Sequence, residues 1–172
     1  SVRISMPNIL VTGSNGQLGS ELRELVDSPK SKIKNPDFHY HFTNHSSLDI
    51  TDSAAVERYC IENHIDAIVN CAAYTAVDGA ETEEELADKT NHQAVKNMAQ
   101  IAKNHHIKLI HISTDYVFDG KHYKHYAEED RVNPQSVYGK TKLAGEKAIL
   151  QIAPQNSIII RTSWLYSSYG RN

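Results

Sequence analysis

Asn8-Ile9-Leu10-Val11-Thr12-Gly13-Ser14-Asn15-Gly16-Gln17-Leu18-Gly19 is the stretch that decides the fold of this chain. Five residues with strand character run into glycines spaced G-x-x-G-x-x-G, and an amphipathic pattern follows to Val26. A strand that opens into a helix through a glycine-rich turn is the first unit of a parallel α/β sheet, and its backbone amides can hold a dinucleotide pyrophosphate. Gly13 fits the tight turn, Gly16 the approach of backbone to phosphate, and Gly19 the packing of helix on strand. Asn15, Gln17 and Leu18 fill the same turn and are candidate cofactor contacts. The glycine triplet is weak taken alone; the strand before it and the helix after it supply the required context.

Outward from this unit the alternation repeats. Strands are expected at 8–12, 38–43, 66–71, 108–113 and 157–161, and helices near 16–26, 53–64, 83–104 and 136–152. A short strand over Ser47–Ile50 is expected to complete the first half, and Thr82-Glu83-Glu84-Glu85 reads as a capping box. The predicted class is therefore α/β: a doubly wound parallel sheet, the Rossmann fold, in three α/β/α layers. A long loop over 115–134 follows the carboxyl end of the strand at 108–113, on the side where such sheets bind ligands.

The 172 residues suit one domain, and 40% hydrophobic content suffices for a sizeable core. A net charge of −3 with no basic run gives no field for nucleic acid, so the expected partner is a small molecule. No apolar stretch reaches membrane-spanning length and no secretion signal is visible, so a cytoplasmic location is expected without membrane contact. Cys60 and Cys71 are expected to be reduced, buried thiols. The ten histidines show no ligand spacing, so no metal site is expected. Ser1–Ser5 precede Met6, the expected translational start, and are set apart as foreign or disordered sequence; the NAD(P)-binding domain is expected over 6–172.

Chemistry concentrates in Ser136-Val137-Tyr138-Gly139-Lys140-Thr141-Lys142. Tyr138 and Lys142 are four residues apart and share one helical face. A free phenol, with a pKa near 10, is a poor acid at neutral pH, but a neighbouring ammonium stabilises the phenolate and makes Tyr138 a usable proton donor. Lys142 is also placed to hydrogen-bond the nicotinamide ribose. Beside a dinucleotide turn, the pair points to a nicotinamide-dependent reductase in which hydride comes from NADPH or NADH. Ser113-Thr114 end a strand at the expected nicotinamide edge, and alternation sends one hydroxyl toward Tyr138 and the other away.

The second strand ends in Phe42-Thr43-Asn44-His45, without the acid that would bind the adenosine ribose and without an arginine. Neither NADPH nor NADH is excluded. Asp49, with Ile50 beside it, is placed to accept from an adenine amino group, while Asp52 reads as the cap of the next helix.

These residues, with Thr75-Ala76-Val77-Asp78, Ser113-Thr114-Asp115-Tyr116-Val117-Phe118 and Arg161-Thr162-Ser163-Trp164, resemble the extended short-chain dehydrogenase/reductase superfamily and, within it, the dTDP-4-dehydrorhamnose reductase family. The resemblance implies reduction of the C4 ketone of a dTDP-sugar by NAD(P)H, in nucleotide-sugar and cell-surface polysaccharide biosynthesis. It implies a catalytic trio of Thr114, Tyr138 and Lys142. It places Ala72, Ala73, Tyr74 and Asn91 with the cofactor residues, and Thr75, Val77, Asp115 and Trp164 at the sugar. The family extends beyond the counterpart of Asn172 into a smaller substrate domain, so the chain is expected to be an N-terminal fragment, weak in catalysis and prone to form a homo-oligomer. Two other readings share the motifs: a non-catalytic NADP-binding subunit like the β subunit of methionine adenosyltransferase, and a nucleotide-sugar epimerase. The intact trio favours an enzyme over the former, and consumption of added NADPH separates a reductase from the latter.

Overall fold

The computed structural model describes residues 5–30, 38–114, 117 and 134–162. Five parallel strands, β1 (Asn8–Thr12), β2 (His39–Phe42), β3 (Ile65–Asn70), β4 (Lys108–Thr114) and β5 (Ser157–Thr162), lie in the order β2-β1-β3-β4-β5. The order reverses at β1, so a crevice opens between β1 and β3 beyond their carboxyl ends, where open α/β sheets take ligands. The helices are α1 (Gln17–Asp27), α2 (Ser53–Glu62), α3 (Val77–Thr82), α4 (Glu84–Asp88), α5 (Ala94–His105) and α6 (Val137–Ile152). A π-helical turn over Lys89–Gln93 joins α4 to α5.

Register explains the core. Leu10, Ile68 and Leu109 are paired across β1, β3 and β4, are fully buried, and belong to one cluster with Val95, Met98 and Ala99 of α5 and Ile149 of α6. Those α5 residues recur at helical spacing, which gives the helix a single apolar stripe to bury. On β5, by contrast, Ile158 and Ile160 are exposed. Capping sets the helix starts: Asp52 accepts from Ala55 N for α2 and Ser136 accepts from Gly139 N for α6.

The strand and helix alternation read from the sequence is present, with ends shifted by a residue or two. Two expectations fail. Ser47–Ile50 is not a strand: Asn44 Oδ1 accepts from Ser46 N and Ser47 N, and this local turn takes amides that a ladder would need. Nor is 82–85 a capping box. The Thr82 hydroxyl donates back to Gly79 O at the end of α3, and Glu83 caps α4 without a side-chain bond. The single helix expected over 83–104 is α4, the π turn and α5, and α3 ahead of it was not expected. Among the described residues no helix is long and apolar enough to cross a membrane.

Candidate active site

The β1–α1 turn is built by backbone alone. Gly13 sits at φ +67°, where a side chain is strained, and a Cβ on Gly19 would lie 2.2 Å from the Gly13 carbonyl oxygen. Strand and helix can approach this closely only without that carbon. Gly16 caps α1 with no side-chain bond, so the first amides of the helix lack intrahelical acceptors and face the crevice with the positive end of the helix dipole. Ser14 Oγ and Gln17 Nε2 are also buried here without a hydrogen-bond partner among the described residues. Unmatched donors around a glycine cradle fit the phosphates of a dinucleotide.

This turn forms one wall of a cleft of about 1380 Å³, above the ~300–1,000 Å³ usual for a drug-sized ligand and therefore roomy enough for an extended one. Gly13, Asn15, Gly16, Gln17 and Leu18 line it, and Gly19 lies buried beneath them. Asp49 and Ile50 form a second part of the wall, and Ala72, Ala73 and Tyr74 a third. Thr75 and Val77 continue toward Thr114, Tyr138 and Lys142, all on the same cleft. Asn91 is not on the wall. Wholly buried in the π turn, it accepts from Tyr74 N and donates to Tyr74 O and Thr141 Oγ1, tying the segment after β3 to α6. Asp115 and Trp164 lie outside the described residues.

At the end of the cleft next to β2, Thr43 is buried and donates its hydroxyl to Val11 O, so of the two residues standing in place of an acid only Asn44 lines the cleft. Asp49 accepts from both the amide and the hydroxyl of Thr51; that hydroxyl bond is the first cause holding its carboxyl below the ordinary range, against a partial desolvation that works the other way. Asp52 is the α2 cap, as its position suggested.

At the α6 end, Lys142 is nearly inaccessible, and its Nζ donates to Ile112 O at 2.9 Å. Burial brings its pKa down to about 8, with Glu146 and Cys71 pulling the other way. The lysine is therefore charged at neutral pH but close to its titration. The Ser113 hydroxyl donates to Glu146 Oε2 at 2.6 Å, and both Ser113 and Thr114 line the cleft with Tyr138. Glu81 of α3 accepts from Val137 N and fixes the first turn of α6 next to Tyr138. Cys60 is buried and Cys71 half-buried on the cleft, both free, and burial pushes each thiol up to about 11, which leaves them unreactive.

Sequence reasoning missed a polar ladder beneath the cleft. Thr12 Oγ1 donates to Asn70 Oδ1 at 2.6 Å, and Asn70 Nδ2 meets His111 Nδ1 at 3.1 Å, across three strands in register. Burial, then the charge of Lys142, holds His111 well below its ordinary pKa. Lys89 and Asp78 were also missed as cleft residues. The ladder had no local signal, since its members are about 40 to 60 residues apart and meet only through strand register.

Residues 7–172 match the model of a protein family described as the RmlD substrate binding domain. The chain belongs to that family. Within reach of it, a dTDP-4-dehydrorhamnose reductase of Streptomyces griseus is 41% identical over 166 residues, which are 96% of this chain and 52% of the relative. A dTDP-4-keto-6-deoxy-D-glucose reductase of Streptomyces niveus is 39% identical over 163 residues, 95% of this chain and 54% of its own length. The crystal structure of dTDP-4-dehydrorhamnose reductase from Bacillus anthracis in complex with NADP superposes with a TM-score of 0.86 at 36% identity, covering 96% of this chain and 56% of that one. This member of the RmlD family thus spans about half the length of the relatives it matches.

Proposed function

We propose that this chain is the nicotinamide-binding part of a dTDP-4-dehydrorhamnose reductase, which reduces the C4 ketone of dTDP-4-dehydro-L-rhamnose to dTDP-L-rhamnose with NADPH or NADH. The observation that carries the proposal is convergence: the amide-lined glycine turn and the trio Thr114, Tyr138 and Lys142 stand on one cleft. Relatives named for two different 4-keto sugars lie at 41% and 39% identity, so the dTDP-4-keto-6-deoxy class is the firmer part of the assignment and dehydrorhamnose the finer part.

In this reading the turn amides bind the pyrophosphate, Asn44 and Asp49 hold the adenosine end, and Thr75, Val77 and Thr114 receive the sugar, with Asp115 and Trp164 assigned there by family position. When bound, the dihydronicotinamide supplies the hydride. Tyr138 gives its phenolic proton to the ketone oxygen, the Thr114 hydroxyl orients that oxygen, and the Lys142 ammonium stabilises the resulting phenolate while offering its remaining protons to the ribose. The remaining contacts to the sugar nucleotide are assigned to the part of the relatives that this chain does not span. Residues 1–172 prepared by themselves are expected to hold cofactor while turning over slowly, because remote binding energy is what seats a ketone against hydride and acid.

Calorimetric titration with NADPH tests cofactor binding, and absence of binding refutes the reading. Tyr138→Phe, placed in a chain extended to the relatives' full length, is expected to lower turnover by about 10²–10⁴-fold with cofactor affinity nearly unchanged. Turnover at the unmutated level would remove Tyr138 from its role, and failure to consume NADPH in proportion to product would favour an epimerase instead.

A further inference from the structure

The stripe of α6 that carries Tyr138 and Lys142 continues one turn further to Glu146, which the reductase chemistry leaves without a role. Glu146 is 2% exposed, a cost that a carboxylate bears only when paired. It is paired twice over. Ser113 of β4 donates to Oε2 at 2.6 Å, and Arg161 of β5 donates to Oε1 through Nε at 3.0 Å and through a terminal nitrogen at 2.7 Å. Three elements thus meet on one anion, directly behind the lysine.

The charge count explains what the anion does. Lys142 is coupled to Glu146 on its own helix, to Cys71 after β3 and to His111 of β4, and through Glu146 to Arg161 of β5, while Tyr138 and Ser113 line the same cleft. His111 and Cys71 are both held neutral by burial. Glu146 is therefore the anion among these neighbours, set against the cations Lys142 and Arg161. Its oxygens are engaged by Ser113 and Arg161, while Lys142 Nζ donates to Ile112 O, so the carboxylate acts on the lysine through space across one helical turn.

We propose that Glu146 is a positioning residue for the Tyr138–Lys142 pair: a buried counter-charge, clamped by Ser113 and Arg161, that keeps Lys142 an ammonium inside the sheet. Arg161 tunes this device by taking part of the same negative charge. The inference rests on the reductase reading only for what the charged lysine does, and not for whether it is charged.

The two can be tested apart on the 172-residue chain, by NMR of ¹³Cε-labelled lysine with Lys142→Met identifying the resonance. In the unmutated chain the Lys142 signal should titrate at about 8. In Glu146→Gln its midpoint should fall by roughly one pH unit or more, and Glu146→Asp, which keeps the charge, should restore most of it. Arg161→Gln should move the midpoint upward, because the carboxylate then answers to one cation instead of two. A structural role alone would disturb the lysine in the same sense in both variants. An unmoved midpoint in Glu146→Gln, or equal shifts in the same direction, overturns the proposal; if Glu146→Gln does not fold, the direction in Arg161→Gln decides. Loss of NADPH binding by the unmutated chain would refute the reductase reading and leave the titration of Lys142 to judge Glu146.

Discussion

On the proposed reading the two ends of the cleft solve the same problem, holding a charged cofactor, by opposite means. The β1–α1 turn uses backbone amides and the absence of side chains: its own residues 13–17 carry no ionisable side chain, and its precision comes from contacts a Cβ would forbid. The α6 end uses ionisable side chains buried together, Lys142 and Glu146 with Arg161 behind them. Sterics set the first region and charge balance the second. The first should therefore be indifferent to pH and intolerant of a single methyl group, whereas the second should respond to pH.

The largest expected effect is at Gly19. In Gly19→Ala the new carbon meets Gly13 O at 2.2 Å and Ser14 Cα at 2.8 Å, both backbone, so strand and helix must separate. A loss of about 3 kcal/mol in denaturant unfolding is expected, with NADPH binding lost too. Gly16→Ala meets only Gly13 O, at 3.3 Å, and should unfold nearly as the unmutated chain does while binding NADPH more weakly, because the methyl group obstructs the phosphates. Equal stability losses in the two variants would break the steric account of the turn.

A smaller effect, and one confined to the α6 end, follows from pH. Lys142 has a folded pKa of about 8 against an ordinary 10.5. Between those values the unfolded chain binds more protons, so the stability contributed by this group rises with pH through that window. Cofactor affinity should run the other way, declining above about pH 8 as the ammonium is lost. His111 adds the acid limb: its folded pKa lies well below 6.5, so stability falls as pH drops below 6.5 and the unfolded chain takes up a proton. Denaturant midpoints and NADPH titrations between pH 5 and 10 check all three signs, and Lys142→Met should flatten the alkaline part. Affinity and stability moving together above pH 8 would contradict the lysine assignment.

The mildest change is expected at the adenosine end, where the turn meets β2. Asn44→Asp preserves the acceptor for Ser46 N and Ser47 N, so the fold should be untouched, while the new charge repels a 2′-phosphate and accepts from ribose hydroxyls. Preference should move toward NADH by roughly tenfold, on the scale of about 1.4 kcal/mol. Unchanged relative affinities would place Asn44 away from the ribose.

How much of this was legible beforehand differed by region. The glycine turn is local: its residues are contiguous, and spacing alone indicated its geometry. The Tyr138–Lys142 pair was legible as a helical face, because a spacing of four needs no tertiary information. The expected strand at Ser47–Ile50 failed because the Asn44 side chain competes for amides within three residues, an effect that apolar pattern does not register. The helix expected over 83–104 runs without a gap from Glu84 to His105, but it widens to a π-helical turn at Lys89–Gln93, where Asn91 bonds Tyr74 and Thr141, partners 17 and 50 residues away.

The sequence by itself determined the order of elements, the glycine turn between β1 and α1 and the pairing of Tyr138 with Lys142 on one helical face, since each depends on propensity or on spacing within one element. Only the tertiary structure decided the state of that lysine. Burial beneath Ile112 O, the neutral His111 and Cys71, and the anion of Glu146 clamped by Ser113 and Arg161 arrive from the segment after β3, from β4, from β5 and from α6 together. A buried charge responds to every neighbour within a few ångströms regardless of separation along the chain, and those neighbours exist only once the sheet has set its register.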